Sequence, residues 1–212
     1  MRSYYAARAR EYDRVYEKPE RQADIQLLRE WLPSLFRGSR LLEVACGTGF
    51  WTQFIAPLAD RIVAIDSAPE TIAIAQSRVQ RDKVSFVVGD AYDLPRDQGV
   101  FNAAFAGFWF SHVPRDRQAE FLCGLSGAVA PGSTVVLVDN LYVEGSNHPI
   151  SERDAHGNTF QLRTLEDGSA HRVLKNFPTE TELRSRIEGV GHSARFSQFE
   201  YYWAVQYVVG QP

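Results

Sequence analysis

Two glycines and two acidic residues form the part of the sequence best suited to binding a ligand. Gly47 and Gly49 lie in a short turn after an apolar run, and glycine lets a backbone pass beneath a ligand without a side-chain collision. Asp66 ends a second apolar run 19 positions after Gly47, and Asp90 ends a third. In nucleotide-binding folds, an acidic residue about 20 positions beyond such a turn binds the ribose hydroxyls. The spacing therefore predicts a nucleoside site, in which the Asp90 carboxylate can accept a hydrogen bond from the amino group of adenine.

The same turn argues against a dinucleotide as the ligand. The dinucleotide fingerprint needs a third glycine three positions after Gly49, and that position is Thr52. Without that glycine, a pyrophosphate is not expected at the start of the following helix. A dehydrogenase built on the same fold is therefore the less favoured alternative.

His112 is the candidate for acid–base chemistry. It follows the fourth predicted strand and should lie on the ligand side of the sheet. An imidazole there can take a proton from a substrate that is protonated at the working pH. The structural alternative is a histidine at a helix start, packed beside Pro114. Asp139 and Asn140 end the fifth predicted strand and face the same crevice, although Asp139 can equally cap a loop.

The other histidines and the cysteines show no pattern typical of a metal or nucleophile site. His148, His156 and His171 match no helix-borne or finger-type ligand spacing, so we predict no metal. Cys46 has no histidine nearby in the sequence and is interpreted as a small buried residue. The two cysteines of the chain are too few for a disulfide framework, which fits a reducing compartment.

The elements that must position these residues alternate between strands and helices. Apolar runs predict strands at 41–45, 61–66, 84–88, 101–106 and 134–138. Helical spacing predicts helices at 4–17, 20–36, 50–58, 69–79 and 121–130. Strands that alternate with helices favour a parallel, doubly wound α/β sheet, and its strands should be continuously apolar because both faces are covered.

The composition changes after Tyr142, where further elements are predicted. Residues 159–165 and 170–174 can pair as a hairpin across the Asp167-Gly168 turn. Thr179 and Glu182 have capping-box spacing at the start of a helix that extends to residue 189. Two closing strands are predicted at 194–200 and 202–209.

Taken together, these segments resemble the class I S-adenosylmethionine-dependent methyltransferases of the small-molecule type, which include the quinone-biosynthesis methyltransferases. The resemblance covers nearly the whole chain. It depends on residues 8–13, the glycine turn, Asp66, residues 89–91 and residues 108–114. Ala45 replaces the family's usual first turn glycine, and Asn102 replaces its usual Asp in the fourth strand.

The resemblance implies a Rossmann-like doubly wound fold. The sheet would have seven mainly parallel strands with an antiparallel last strand, with N-terminal helices and a hairpin-like insertion after the fifth strand. The expected domain is single, over 1–212. It comprises an N-terminal helical cap at 1–37, a cofactor-binding core at 38–142, an insertion or lid at 143–178, and closing elements at 179–212. The insertion and the N-terminal helices are expected to close over the acceptor.

The resemblance also assigns roles to individual residues. S-adenosylmethionine would bind with Glu43 near its ammonium and Asp66 at its ribose, and S-adenosylhomocysteine would be the product. The implied cofactor-binding residues are Tyr12, Glu43, Ala45, Gly47, Gly49, Trp51, Asp66, Ser67, Asp90, Ala91, Gly107 and Phe108. The expected substrate-binding residues are Tyr5, Trp109 and Asn140, and His112 is the expected catalytic residue.

Composition and charge limit the partners. The net charge is −3 and the pI is about 6.0, so we expect no general attraction to nucleic acid. No apolar stretch approaches the roughly 20 residues that span a bilayer, and no hydrophobic signal segment follows the N-terminal residues. A soluble cytoplasmic protein acting on a small molecule is therefore expected.

The expected reaction is methyl transfer to an oxygen or nitrogen atom of a small acceptor. Aromatic residues make up 12% of the chain, and several follow the predicted cofactor strands, which favours an apolar or aromatic acceptor. Trp51 and Phe110 either line that pocket or fill the core. The alternatives are a non-catalytic module that binds S-adenosylmethionine for regulation, and a C-methyltransferase of a quinone-like substrate.

Overall fold

The computed structural model describes residues 12–80, 82–94 and 100–211. Its ten strands are β1 (Arg40–Val44), β2 (Arg61–Asp66), β3 (Val84–Val88), β4 (Phe101–Gly107), β5 (Val129–Asn140), β6 (Glu152–Arg153), β7 (Thr159–Thr164), β8 (Ala170–Leu174), β9 (Gly191–Gln198) and β10 (Tyr202–Val209). Seven of them form one sheet in the order β3-β2-β1-β4-β5-β10-β9. Strands β1 to β5 are parallel, and β10 runs antiparallel to both β5 and β9. The predicted doubly wound sheet with an antiparallel last strand is confirmed.

Within the described ranges, five α-helices accompany the sheet: α1 (Gln22–Ser34), α2 (Thr52–Ile55), α3 (Pro69–Arg78), α4 (Gln118–Gly127) and α5 (Glu180–Ile187). Short 3₁₀ turns occupy Tyr12–Tyr16, Pro19–Arg21, Phe110–His112 and Arg115–Arg117. None of the helices in the described part of the chain combines the length and the apolarity needed to cross a bilayer.

Alternating residues of the strands pack into two apolar clusters, one on each face of the sheet. Leu42 of β1 packs on the face covered by α4 and α5, where Phe121 and Leu183 are buried. Leu41 packs on the opposite face, where Leu28 of α1 is buried. Residues 41–44 are all fully or almost fully buried, as expected for a parallel strand covered on both sides.

The second, smaller sheet belongs to the insertion. It has the order β6-β7-β8, and Phe160 of β7 pairs with Leu174 of β8. The hairpin predicted across residues 167–168 is therefore present, and Gly168 has a φ of 81°. The sequence did not indicate β6, which is only two residues long.

Several predicted boundaries differ from the structure; the helix predicted at 121–130 spans Gln118–Gly127, and the strand predicted at 194–200 spans Gly191–Gln198. The helix predicted at 4–17 falls largely outside the described residues, and its described part is the 3₁₀ turn Tyr12–Tyr16. The helix predicted at 50–58 is only four residues long, because Pro57 has no amide hydrogen to continue it. Strand β5 begins five residues early, since a bulge opposite β4 accommodates Pro131 and Gly132.

The predicted start of α5 is confirmed atom by atom. The Thr179 hydroxyl accepts a hydrogen bond from the Glu182 backbone amide at 3.2 Å. The Glu182 carboxylate accepts one from the Thr179 backbone amide at 2.8 Å. Both arms of the capping box are therefore formed.

Candidate active site at the carboxyl ends of the parallel strands

A first cavity of about 490 Å³ opens where strands β1 to β4 end. This is the crevice in which doubly wound sheets bind their ligands. Seven of the predicted cofactor-binding residues line its wall: Ala45, Gly47, Asp66, Ser67, Asp90, Ala91 and Phe108. Two further predicted site residues, Trp109 and His112, also line it.

The Asp66 carboxylate fixes the shape of the glycine turn. One oxygen accepts a hydrogen bond from the Gly47 amide at 2.9 Å. The other accepts from the Ala68 amide at 2.9 Å and from the Thr71 hydroxyl at 3.0 Å. Gly47 and Ala45 both have a φ of 56°, a conformation that glycine adopts easily and alanine does not. The replacement of a glycine by Ala45 therefore places backbone strain in the cavity wall.

Glu43 lies buried beneath the turn rather than in the cavity wall. Only 2% of its surface is exposed, and its Oε2 atom has no hydrogen-bond partner among the described residues. Burial raises the pKa of Glu43 to about 8, and the negative charge of Asp66 adds to the effect. A buried carboxyl with an unused oxygen can accept a hydrogen bond from a cationic group of a ligand.

Three other predicted cofactor residues support the wall from behind. A Cβ atom on Gly49 would lie 3.0 Å from the Cβ of Ala75, so glycine at this position lets α3 pack on the turn. Trp51 is buried and stacks on Phe108 with ring centroids 5.8 Å apart. A Cβ atom on Gly107 would lie 2.7 Å from the ring of Phe105. Among the other predictions, Tyr5 and the side chain of Tyr12 lie outside the described residues.

Several wall residues were not predicted from the sequence. Val88 is 50% exposed at the end of β3 and presents an apolar surface to the cavity. Tyr92 lies nearby, with the Arg117 guanidinium 3.6 Å from the centre of its ring. The position of Val88 directly before residues 89–91 was the signal that could have identified it.

A second cavity of about 200 Å³ shares part of its wall with the first. Phe108 and His112 line both cavities. The rest of the second wall comes from the N-terminal turns, the ends of β5 and β10, and the insertion. Asn140 lies here, whereas Trp109 lines the first cavity, so these two predicted substrate residues face different spaces.

His112 is buried, and one of its ring nitrogens forms a hydrogen bond with the backbone. Its Nδ1 atom lies 2.6 Å from the Leu174 carbonyl oxygen. Since a carbonyl only accepts, Nδ1 donates, and the lone pair of the neutral ring is on Nε2. Burial lowers the pKa of His112 well below its usual value, and the positive charges of Lys175 and Arg163 lower it further. The ring is therefore neutral at neutral pH.

Asp139 holds the turn that carries His112. It is completely buried and accepts hydrogen bonds from the Ser111 amide at 2.8 Å and the Ser111 hydroxyl at 2.9 Å. The Lys175 ammonium lies 3.0 Å from the same carboxylate. Burial alone would raise the pKa of Asp139, but the charge of Lys175 and the hydrogen bonds from the Ser111 and Asn140 amides hold it below its usual value. Asp139 therefore positions the loop and lines neither cavity.

No three His, Cys, Asp or Glu side chains come together as possible metal ligands in the described ranges. Cys46 and Cys123 are free thiols.

Comparison with known proteins indicates the family and the cofactor. A family model described as "Methyltransferase domain" matches residues 41–132. A structure titled "DhpI-SAH complex structure" is 33% identical with a TM-score of 0.81, and the alignment covers 99% of this chain and 95% of that chain. A second structure, titled "DhpI-SAM-HEP complex", is 32% identical with a TM-score of 0.79 over the same shares of the two chains.

Curated relatives match over shorter segments. The O-methyltransferase rstn1 of Aspergillus nomiae is 30% identical over 146 residues, which are 63% of this chain and 64% of that protein. A demethylmenaquinone methyltransferase of Shouchella clausii is 28% identical over 109 residues, which are 48% of this chain and 45% of that protein. The matches therefore span about half to two-thirds of these curated relatives.

The residues of the first cavity, together with Glu43 buried beneath its glycine turn, fit the cofactor that these comparisons indicate. Carboxylates at the ends of β2 and β3 suit a ribose and an adenine, and the unpartnered Oε2 of Glu43 suits an ammonium. S-adenosylmethionine is accordingly the cofactor, and the two structures are titled as complexes with SAH in one case and SAM in the other. The chain belongs to the class I S-adenosylmethionine-dependent methyltransferases.

Proposed function

We propose that this methyltransferase transfers the methyl group to an oxygen or nitrogen atom of a small acceptor bound in the second cavity. The observation that supports this proposal is the wall of Phe108 and His112 common to both cavities. A reacting atom in the second cavity would meet a donor in the first only across that wall. Methyl transfer needs the acceptor lone pair in line with the carbon–sulfur bond, so two adjoining spaces with one shared boundary suit it.

In this proposal the first cavity binds three parts of the cofactor: the ribose, the adenine and the ammonium group. Asp66 and Ser67 contact the ribose, while Asp90 and Ala91 contact the adenine, with Val88 packing against its ring. The ammonium lies towards Glu43, beside the backbone of Ala45 and Gly47. Gly49, Trp51 and Gly107 support this wall, and Tyr12 near the cofactor carboxylate stays a prediction.

Positioning provides most of the catalysis in this proposal. S-adenosylmethionine supplies an already activated methyl group when bound. A carbon–oxygen or carbon–nitrogen bond forms as the carbon–sulfur bond breaks, and the sulfur keeps the electron pair. His112 is neutral and can accept the proton that an O–H or N–H acceptor gives up. The burial and positive charges that lower its pKa make it a weak base suited to acidic acceptor groups.

The second wall also bears on the class of the acceptor. An apolar or aromatic acceptor stays a prediction, favoured by the rings of Tyr16, Phe108 and Tyr202 in the second wall. Asn140 lies in the same wall, where its amide oxygen accepts a hydrogen bond from Arg21 at 2.8 Å. Trp109 would contact the acceptor from the side of the first cavity. A substrate-binding role for Tyr5 stays a prediction.

Measuring S-adenosylhomocysteine release over a panel of alcohols, phenols, amines and oxyacids tests this function, with the product atom identified by mass spectrometry. His112→Gln should lower kcat by about 100-fold or more for an O–H acceptor, because a general base contributes roughly that factor. Its affinity for S-adenosylhomocysteine should stay unchanged, which checks the fold. Tight cofactor binding with no methylated product across the panel would instead indicate the non-catalytic binding module.

A further inference from the structure

The second cavity is lined by an unusual number of positive charges. Five cationic side chains belong to its wall: Arg14, Lys18, Arg21, Arg163 and Lys175. No aspartate or glutamate is among the described residues of that wall. The protein as a whole is acidic, with a net charge of −3, so this concentration of positive charge is local.

Carboxylates outside the wall balance only part of this charge. Lys175 pairs with Asp139, and Lys18 lies 4.0 Å from Glu20. Arg14 pairs with a glutamate at the tip of the insertion hairpin. For Arg21 and Arg163, in contrast, no carboxylate lies within 4.0 Å among the described residues.

Of these two arginines, Arg21 gives the stronger evidence that positive charge in the cavity is uncompensated. Only 4% of its surface is exposed, yet its hydrogen bonds go to neutral groups: the Ser146 hydroxyl at 2.9 Å and the Asn140 amide oxygen at 2.8 Å. Its guanidinium also lies 5.5 Å from the ring centres of Tyr201 and Tyr202. Taking a charge out of water is costly unless an opposite charge compensates for it.

The pKa values of neighbouring ionisable groups reflect the same concentration of positive charge. Burial is the main cause that lowers the pKa of Lys18, and the charges of Arg21 and Arg163 contribute. Burial lowers the pKa of Lys175 to about 8 although Asp139 opposes the effect, and the charge of Arg163 again contributes. The charge of Arg163 also lowers the pKa of His112. An anion in this space would relieve all of these interactions at once.

We propose that the acceptor carries an oxyanion group, a carboxylate or a phosphorus oxyanion, which binds in the second cavity against Arg21, Arg163 and Lys18. This inference rests on the proposed function, because it identifies the occupant of the second cavity with the methyl acceptor. Guanidinium groups bind oxyanions through paired hydrogen bonds, which fix orientation as well as supply affinity. The bound oxyanion therefore anchors the acceptor with its reacting atom towards Phe108 and His112.

The test measures binding of simple probes to the protein saturated with S-adenosylhomocysteine. Acetate and methylphosphonate are titrated by calorimetry, with acetamide as the neutral counterpart. At least one anion should bind at millimolar concentration, and which one binds more tightly distinguishes a carboxylate from a phosphorus oxyanion. Acetamide should not bind.

Matched arginine variants locate the anion. Arg163→Gln should weaken anion binding by about 10- to 100-fold, the usual range for a lost charged hydrogen bond. Arg172→Gln is the control, because Arg172 lies on the same hairpin, is exposed, pairs with Glu152 and does not line the cavity. It should leave anion binding unchanged. Unchanged affinity for S-adenosylhomocysteine in both variants would show that each is folded.

The outcomes separate this inference from the function on which it rests. Absence of anion binding, or equal weakening by both variants, overturns the oxyanion site, even when a neutral acceptor is methylated. Anion binding that depends on Arg163, with no acceptor methylated, supports the oxyanion site and contradicts the proposed function.

Discussion

Glu43 and Arg21 are buried side chains beside the two cavities, and neither has an oppositely charged partner among the described residues. They respond differently to burial. A carboxyl can become neutral by taking up a proton, whereas an arginine side chain keeps its charge in proteins. Under the proposed function, the charge of Glu43 depends on whether the cofactor is bound, whereas the charge of Arg21 has to be compensated.

Glu43→Gln should stabilise the protein without cofactor above neutral pH. The pKa of Glu43 is raised from 4.5 to about 8 on folding, so its contribution to stability is present below pH 4.5 and is lost as the pH rises through about 8. The loss amounts to roughly 1.4 kcal/mol per pH unit between these values. Thermal unfolding at several pH values should show a flatter profile for the variant, and the difference from wild type removes the contributions of other groups.

The same substitution should weaken S-adenosylmethionine binding by about 10-fold or more, because an ammonium loses a charged partner. Glu188→Gln, which changes an exposed residue after α5, is the control for both measurements. A variant that gains stability at high pH but binds the cofactor normally would limit Glu43 to a structural role.

At the scale of elements, the N-terminal 3₁₀ turn Tyr12–Tyr16 connects the two halves of the site. The Asp13 carboxylate accepts a hydrogen bond from the Thr48 hydroxyl in the glycine turn at 2.6 Å and pairs with Arg78 of α3. A few residues later, Lys18 donates to the Ser146 carbonyl oxygen of the insertion. One short segment thus contacts both the glycine turn and the wall of the second cavity.

Asp13→Asn should loosen this connection with little loss of global stability, since partly exposed ion pairs contribute about 1 kcal/mol or less. Hydrogen exchange should become faster at residues 12–21 and in the glycine turn. It should stay unchanged in strands β7 and β8. Glu17→Gln, in the same segment but exposed, is the matched control. Equal exchange in wild type and Asp13→Asn would show that this contact does not order the segment.

The elements also show what a single sequence can reveal. Strands β1 to β3 were predicted within about one residue, because each is a short run of mostly apolar residues bounded by charged or turn-forming residues. The glycine turn and Asp66 were predictable because their spacing is local. Arg21 and Arg163 were not, since they meet only after folding brings together two segments on either side of the cofactor-binding core. No local pattern distinguishes them from ordinary surface arginines.

At the scale of the whole molecule, both cavities depend on one sheet. The ends of β1 to β4 form the first cavity, and β5 and β10 add to the second. Ligand binding in either cavity should therefore stabilise the entire domain, because a ligand that binds only the folded state shifts the unfolding equilibrium.

S-adenosylhomocysteine at roughly 100 times its Kd should stabilise the protein by about 2.7 kcal/mol. For a domain of this size, that corresponds to a rise in Tm of about 5–10 °C. NAD at the same concentration should give no rise, since Thr52 occupies the position of the third dinucleotide glycine. Differential scanning fluorimetry checks both. A rise with NAD that matches the rise with S-adenosylhomocysteine would contradict a site for a single nucleoside.

Strand β10 has a consequence for how the chain is made. It lies between β5 and β9 in the sheet, although it is the last of the three to be synthesised. Until it leaves the ribosome, β9 has no neighbour in the seven-stranded sheet, and one edge of β5 stays open. The nascent protein can assemble β1 to β5 early, but it completes the hydrophobic core only when residues 202–209 emerge. The buried Trp203 then provides a fluorescent signal for that final step.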